Sequence, residues 1–344
     1  MKSKRLSVTL CFLLPGLLFG CAVKEKTPPP PPSRGSSLPP HLEQRVLSLD
    51  PEGLSEKDVS EVLSRCPAPR ILALDGSVPI VSMESFARFL IRMGYPEASV
   101  RNPVTGSHSY SSYRSSKKMA GMVAWYYEKE GMRPMLVGQS QGGMLSVKIL
   151  HEFAGTFREK VAVWNPYTGQ SEERHTIVDP LTGQERPVVG LRLGYASAIA
   201  TGKLMRLFLG QWEMLGHLRR IPDSVEEFTG FHIPHDPISG TLFGVGESDQ
   251  YAAVGSAAVR NVVLPASSGH LSVPLTEDLA KDREARGWIE IYRVSGPPPQ
   301  ESKEFYREKR NILLAADLWG SIRKHWCIEL KRSILARARS GKEG

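Results

Sequence analysis

The chain has 344 residues, 41% of them hydrophobic and 23% charged, a balance that excludes a disordered or fibrous protein. Its formal charge of +8 falls to +5 if Lys2, Lys4 and Arg5 leave with a cleaved leader. No aromatic-interleaved basic motif accompanies that charge, which argues against a nucleic-acid partner. Four cysteines without a CxxC pair, and the lack of an HExxH sequence, give no metal or cofactor signal.

Residues 1–20 join a basic head, Met1-Lys2-Ser3-Lys4-Arg5, to an apolar run from Leu6 to Phe19, the pattern of an export signal. The run is too short and too broken by proline and glycine for a comfortable membrane span. It ends Leu18-Phe19-Gly20-Cys21, which resembles the lipobox of bacterial lipoproteins. That resemblance implies lipidation of Cys21 as the new N-terminus and a membrane partner reached through the lipid. Ala22 after the cysteine implies outer-membrane sorting, with the protein in the cell envelope facing the periplasm. Residues 21–40 follow as a stalk around Pro28-Pro29-Pro30-Pro31-Pro32, stiff and extended at about 3.1 Å per residue. A single folded domain is expected over residues 41–344, its early helix capped by Ser55 and running through Leu63.

From there strand and helix alternate. Ile71-Leu72-Ala73-Leu74 reads as a buried strand ending at Asp75-Gly76-Ser77. A helix is predicted over 83–93, with Phe86, Phe89, Leu90 and Met93 on one face, stopped by Gly94. Ala98-Ser99-Val100 is a strand candidate, and Ser115 or Ser116 caps a helix to about Lys129. Next comes Pro134-Met135-Leu136-Val137-Gly138-Gln139-Ser140-Gln141-Gly142-Gly143-Met144, a strand, a tight turn and a helix with a serine at the apex. The G-x-S-x-G spacing predicts a strained serine whose flanking glycines, Gly138 and Gly142, make room for strand and helix to approach. Val161-Ala162-Val163-Trp164 is read as another strand. Such alternation predicts an α/β fold with a mostly parallel central sheet and helices on both faces. Active groups then gather at the carboxyl ends of the strands.

Regular alternation breaks after Asn165. Residues 166–240 are read as a helical cap insertion, with polar turns and then an apolar helical region over 191–218. A plain excursion packed on the sheet is the alternative. The core is expected to resume at Leu242-Phe243-Gly244-Val245-Gly246 and to end with Val262-Val263-Leu264 before Ser268-Gly269-His270. Cys66 and Cys327 remain after the leader cysteines, and in an oxidising compartment they can either pair or stay free. The basic residues Arg323, Lys324, Lys331, Arg332, Arg337, Arg339 and Lys342 are read as a solvated helix face rather than a lipid contact.

Over roughly residues 69–274 the chain resembles the α/β-hydrolase superfamily, in particular its lipase and esterase branch, whose groups follow the chain order serine, acid, histidine. The resemblance implies Ser140 as nucleophile and His270 as base. Asp249, twenty-one residues before His270, is the expected acid, with Asp236 and Glu247 as alternatives. Gln141, with Ser77 or Gly76, is expected to supply the oxyanion donors, although this chain has Asp75-Gly76 where the family commonly has His-Gly. The implied function is cleavage of a small-molecule or lipid carboxylic ester through an acyl-enzyme, without a cofactor. Acyl transfer or thioester cleavage on the same groups, and a non-catalytic envelope binding protein, are the alternatives.

Overall fold

A computed structural model describes residues 38–77, 81–202, 212–296 and 301–340. The expected leader, Cys21 and nearly all of the stalk lie outside the described residues. Five strands form the main sheet: β1 (Ile71–Leu74), β2 (Met135–Gln139), β3 (Leu193–Ile199), β4 (Val225–His232) and β5 (Ala258–Val263). They lie side by side in chain order and every neighbouring pair is parallel, with Ile71 opposite Met135, Leu136 opposite Ala196, Ala196 opposite Phe228 and Asn261 opposite Gly230.

Alternate residues of these strands feed two separate cores, as the pleat requires. Ile71, Ala73, Met135, Val137 and Tyr195 join a cluster with Phe86, Phe89, Trp319 and Trp326, whereas Leu72, Leu74, Leu136 and Ala196 join Met122, Val123, Leu145 and Ile149. The first layer is built by α1 (Pro40–Ser48), α3 (Glu84–Arg92), α6 (Arg283–Ile291) and the long α8 (Ile312–Ser340); the second by α4 (Ser116–Glu130) and α5 (Gln141–Phe153). Helix α2 (Glu56–Glu61) starts on a capping box between Ser55 and Asp58, and α4 on the Ser115 hydroxyl. A short α7 (Lys303–Glu308) precedes α8.

The stretch read as a cap contains two strands of the core sheet. Leu193–Ile199 holds Gly194, Ala196, Ser197 and Ala198, small residues without strand character, yet it lies between β2 and β4 with every residue buried. Glu226 and Glu227 hid β4 from a hydropathy reading. Their charges are met by Arg133 and Arg332, and by Lys324 and His325. Conversely, residues 242–246 form no strand, and Phe243 is 96% exposed. Glu97–Ser99 is a 3₁₀ turn, not a strand, and Trp164–Asn165 pairs only with Gln170–Ser171 outside the main sheet. The C-terminal basic residues do not form a merely solvated face: Arg323 is buried against Glu290, Lys324 meets Glu227, and Arg337 meets Glu43. Cys66 and Cys327 are both buried free thiols. Among the described residues no helix is long and apolar enough to cross a membrane.

Candidate active site

Ser140 is the residue between β2 and α5. Its backbone has φ 53° and ψ −114°, a left-handed conformation that a side-chain-bearing residue adopts only when its surroundings enforce it. Two contacts enforce it. The Ser140 N–H donates to the Ile199 carbonyl at 2.7 Å, and the glycines let the chain close up. A Cβ on Gly138 would lie 2.2 Å from the Gly142 carbonyl oxygen, and one on Gly142 2.2 Å from that of Leu74. The steric role expected of both glycines is therefore visible atom by atom. Ser140 occupies the N-cap position of α5 but makes no capping bond with its side chain. Its hydroxyl faces His270 instead, with Oγ 3.0 Å from Nε2.

His270 lies seven residues beyond the end of β5, and its Nδ1 is 2.7 Å from Asp236 Oδ2. Ser140, His270 and Asp236 are respectively 3%, 8% and 4% exposed, so the chain of contacts is shielded from bulk water. The expected acid, Asp249, is not part of it. Asp249 accepts the Gly246 N–H at 2.9 Å and closes the turn Glu247–Asp249, and Glu247 is exposed. The reason lies in the sheet: β4 ends at His232, so the first carboxylate at its carboxyl end is Asp236. A strand at 242–246, as the sequence suggests, places the expected acid thirteen positions too far along. Burial pushes the Asp236 carboxyl upward, but the hydrogen bond and charge of His270, with the Ser239 hydroxyl and the Ile238 N–H, hold it below the ordinary value. The Ile238 N–H reaches Oδ1 at 2.9 Å.

The turn after β1 runs beneath the same site. Gly76 donates its N–H to the Val81 carbonyl at 3.0 Å, so that group is spent and Gly76 is not an oxyanion donor. Ser77 and Gln141 remain as the candidates. Gln141 opens α5, where the first N–H groups have no partner within the helix. Two hydroxyls grip the loop from outside: Ser112 donates to the Gly76 carbonyl at 3.0 Å and Tyr113 to the Ser77 carbonyl at 2.5 Å. Asp75 accepts the Met83 N–H at 2.8 Å and the Ser109 hydroxyl at 3.2 Å, which ties the loop to α3 and the segment before α4.

Other histidines are bound up elsewhere. His151 sits on α5 with Nε2 against the carbonyls of His217 and Arg220, and burial holds it down to about pKa 4, neutral at pH 7. His232 faces Asn261, and His325 faces Glu227. Among the described residues no group of three or more His, Cys, Asp and Glu side chains is placed to hold a metal ion. Compared with protein-family models, curated proteins and solved structures, the chain matches none.

Proposed function

We propose that this chain is a serine hydrolase of carboxylic esters with the α/β-hydrolase architecture. The observation that carries the reading is the unbroken contact from Ser140 Oγ to His270 Nε2 (3.0 Å) and from Nδ1 to Asp236 (2.7 Å), with the serine on a strained turn. A serine hydroxyl attacks a carbonyl carbon only when a base removes its proton as the bond forms. His270 Nε2 would take that proton, and Asp236 would fix the Nδ1–H tautomer and stabilise the imidazolium. The oxyanion would then meet the Gln141 N–H and a donor from Ser77, each worth about 3–4 kcal/mol of barrier. His270 returns the proton to the departing alcohol, and water attacking by the same route releases the acid.

Exposed apolar side chains on the loops of this end of the sheet, Ile238, Leu242 and Phe243 beyond Asp236 and Leu271 and Leu275 beyond His270, support an apolar or lipid ester. A fluorophosphonate probe tests the chemistry: the wild type is expected to be labelled and Ser140→Ala not, while equal labelling would refute the reading. A series of p-nitrophenyl esters of increasing acyl length then reads out substrate preference. The envelope placement is proposed from the sequence around Cys21, and Cys21→Ser is expected to move the chain from the membrane to the soluble fraction.

A further inference from the structure

Gln139, the last residue of β2, is fully buried, and its backbone is fixed in register with Ile199 of β3. A buried carboxamide has two donors and an acceptor to place. Its Nε2 donates to the backbone carbonyl of His270 at 3.0 Å, across 131 positions of sequence. The opposite orientation of the amide would set two oxygens against each other, so the partner decides the direction. Its Oε1 is buried without a partner in the space left by Gly76, where a Cβ would come within 2.3 Å of it. If packing were the only demand, an apolar residue of similar volume would meet it without a stranded oxygen.

The position of the amide gives it a use. His270 is held at three atoms: Nδ1 by Asp236, Nε2 by Ser140 and the backbone carbonyl by Gln139. The flanks of its loop are tied to the C-terminal region, through Ser267 to the Tyr306 carbonyl and through Asn311 to the Ser272 carbonyl. Gln139 ties the backbone of the loop to the strand that leads into the nucleophile, and it does so from the residue adjacent to Ser140. One peptide unit then sets the span between the imidazole's anchor and Ser140.

We propose that Gln139 is a positioning residue that holds the His270 loop at its working distance from the nucleophile; this rests on the hydrolase reading. The test uses the mature chain carrying Gln139→Leu or Gln139→Glu, with ester turnover and fluorophosphonate labelling as readouts. Gln139→Leu is expected to keep its fold by circular dichroism and to lose about 10- to 100-fold in kcat at nearly constant KM. Gln139→Glu donates to the carbonyl only while its carboxyl is protonated. It is therefore expected to outperform Gln139→Leu at low pH and to add one ionisation to the kcat profile. Gln139→Leu with wild-type kcat and pH profile, or equal losses in both variants at every pH, would overturn the role. If Gln139→Leu does not fold, the profile of Gln139→Glu decides alone. An unlabelled wild type would overturn the hydrolase reading and this role together, whereas a labelled wild type beside an unaffected Gln139→Leu would overturn this role only.

Discussion

Asp236 holds the Nδ1 side of His270 at 2.7 Å and is itself held by the Ile238 N–H, so the imidazole is confined to one tautomer. Asp236→Asn is expected to lower kcat by about 10⁴-fold with the fold retained, because the amide admits the wrong tautomer. Asp249→Asn, at a carboxylate that accepts the Gly246 N–H and is not in contact with His270, is expected to leave kcat unchanged. Steady-state ester kinetics on the two variants decide between the carboxylates. Since the Asp236 carboxyl lies below its ordinary value, its stabilising contribution is complete above that value and is lost as pH falls through the lowered one. At this scale the sequence was legible where the signal was local. Ser140 and His270 each sit in a short stretch of glycine beside a strand, and those stretches needed no partner to be read. The acid did need one: only the identity of the preceding strand separates Asp236 from Asp249, and two glutamates concealed that strand. Ser112 and Tyr113, which grip the turn at Gly76 and Ser77, carry no sequence signal at all.

Elements meet closely where β2 turns into α5. Gly142→Ala would drive a Cβ to 2.2 Å from a backbone oxygen of β1, which no rotamer change relieves. The expected cost is about 3 kcal/mol or more, read from urea unfolding, together with loss of labelling at Ser140. β4 offers a different test. Burial pushes Glu227 upward, but hydrogen bonds and charge from His325 and Lys324 outweigh it and hold the carboxyl down to about 2, against 4.5 ordinarily. The sign follows directly: the stabilisation, about 3 kcal/mol from a shift of that size, is complete above pH 4.5 and disappears on the way down to 2. Glu227→Gln should therefore flatten the loss of stability with acid in urea titrations over that range. Strands β1 and β2 were legible as apolar runs because both of their faces are covered. β3 was not, because small residues between two neighbouring strands leave no periodicity to detect.

At the scale of the whole molecule, α8 closes one core over β1 to β3 with Trp319 and Trp326 and brings Cys327 into the cluster that holds Cys66. Burial pushes both thiols up to about 11, so neither is a thiolate at neutral pH. The native protein is expected to show no reaction with a disulfide reagent and the denatured protein two thiols per folded domain, counted with the leader cysteines replaced. Two thiols in the denatured protein without prior reduction exclude a bridge. The α/β class was legible from alternation, but the extent of the sheet was not. Charges paired across residues 133, 226 and 329 carry no mark in the sequence of the partner they will meet.

The strands stand in the sheet in the order of synthesis, and the three groups of the proposed site follow its second, fourth and fifth members. A chain that emerges amino-terminus first therefore presents Ser140 long before His270 can reach it. On the hydrolase reading, such a molecule is expected to stay inactive until β5 docks on the open edge and His270 follows it. On that reading, turnover would report complete assembly.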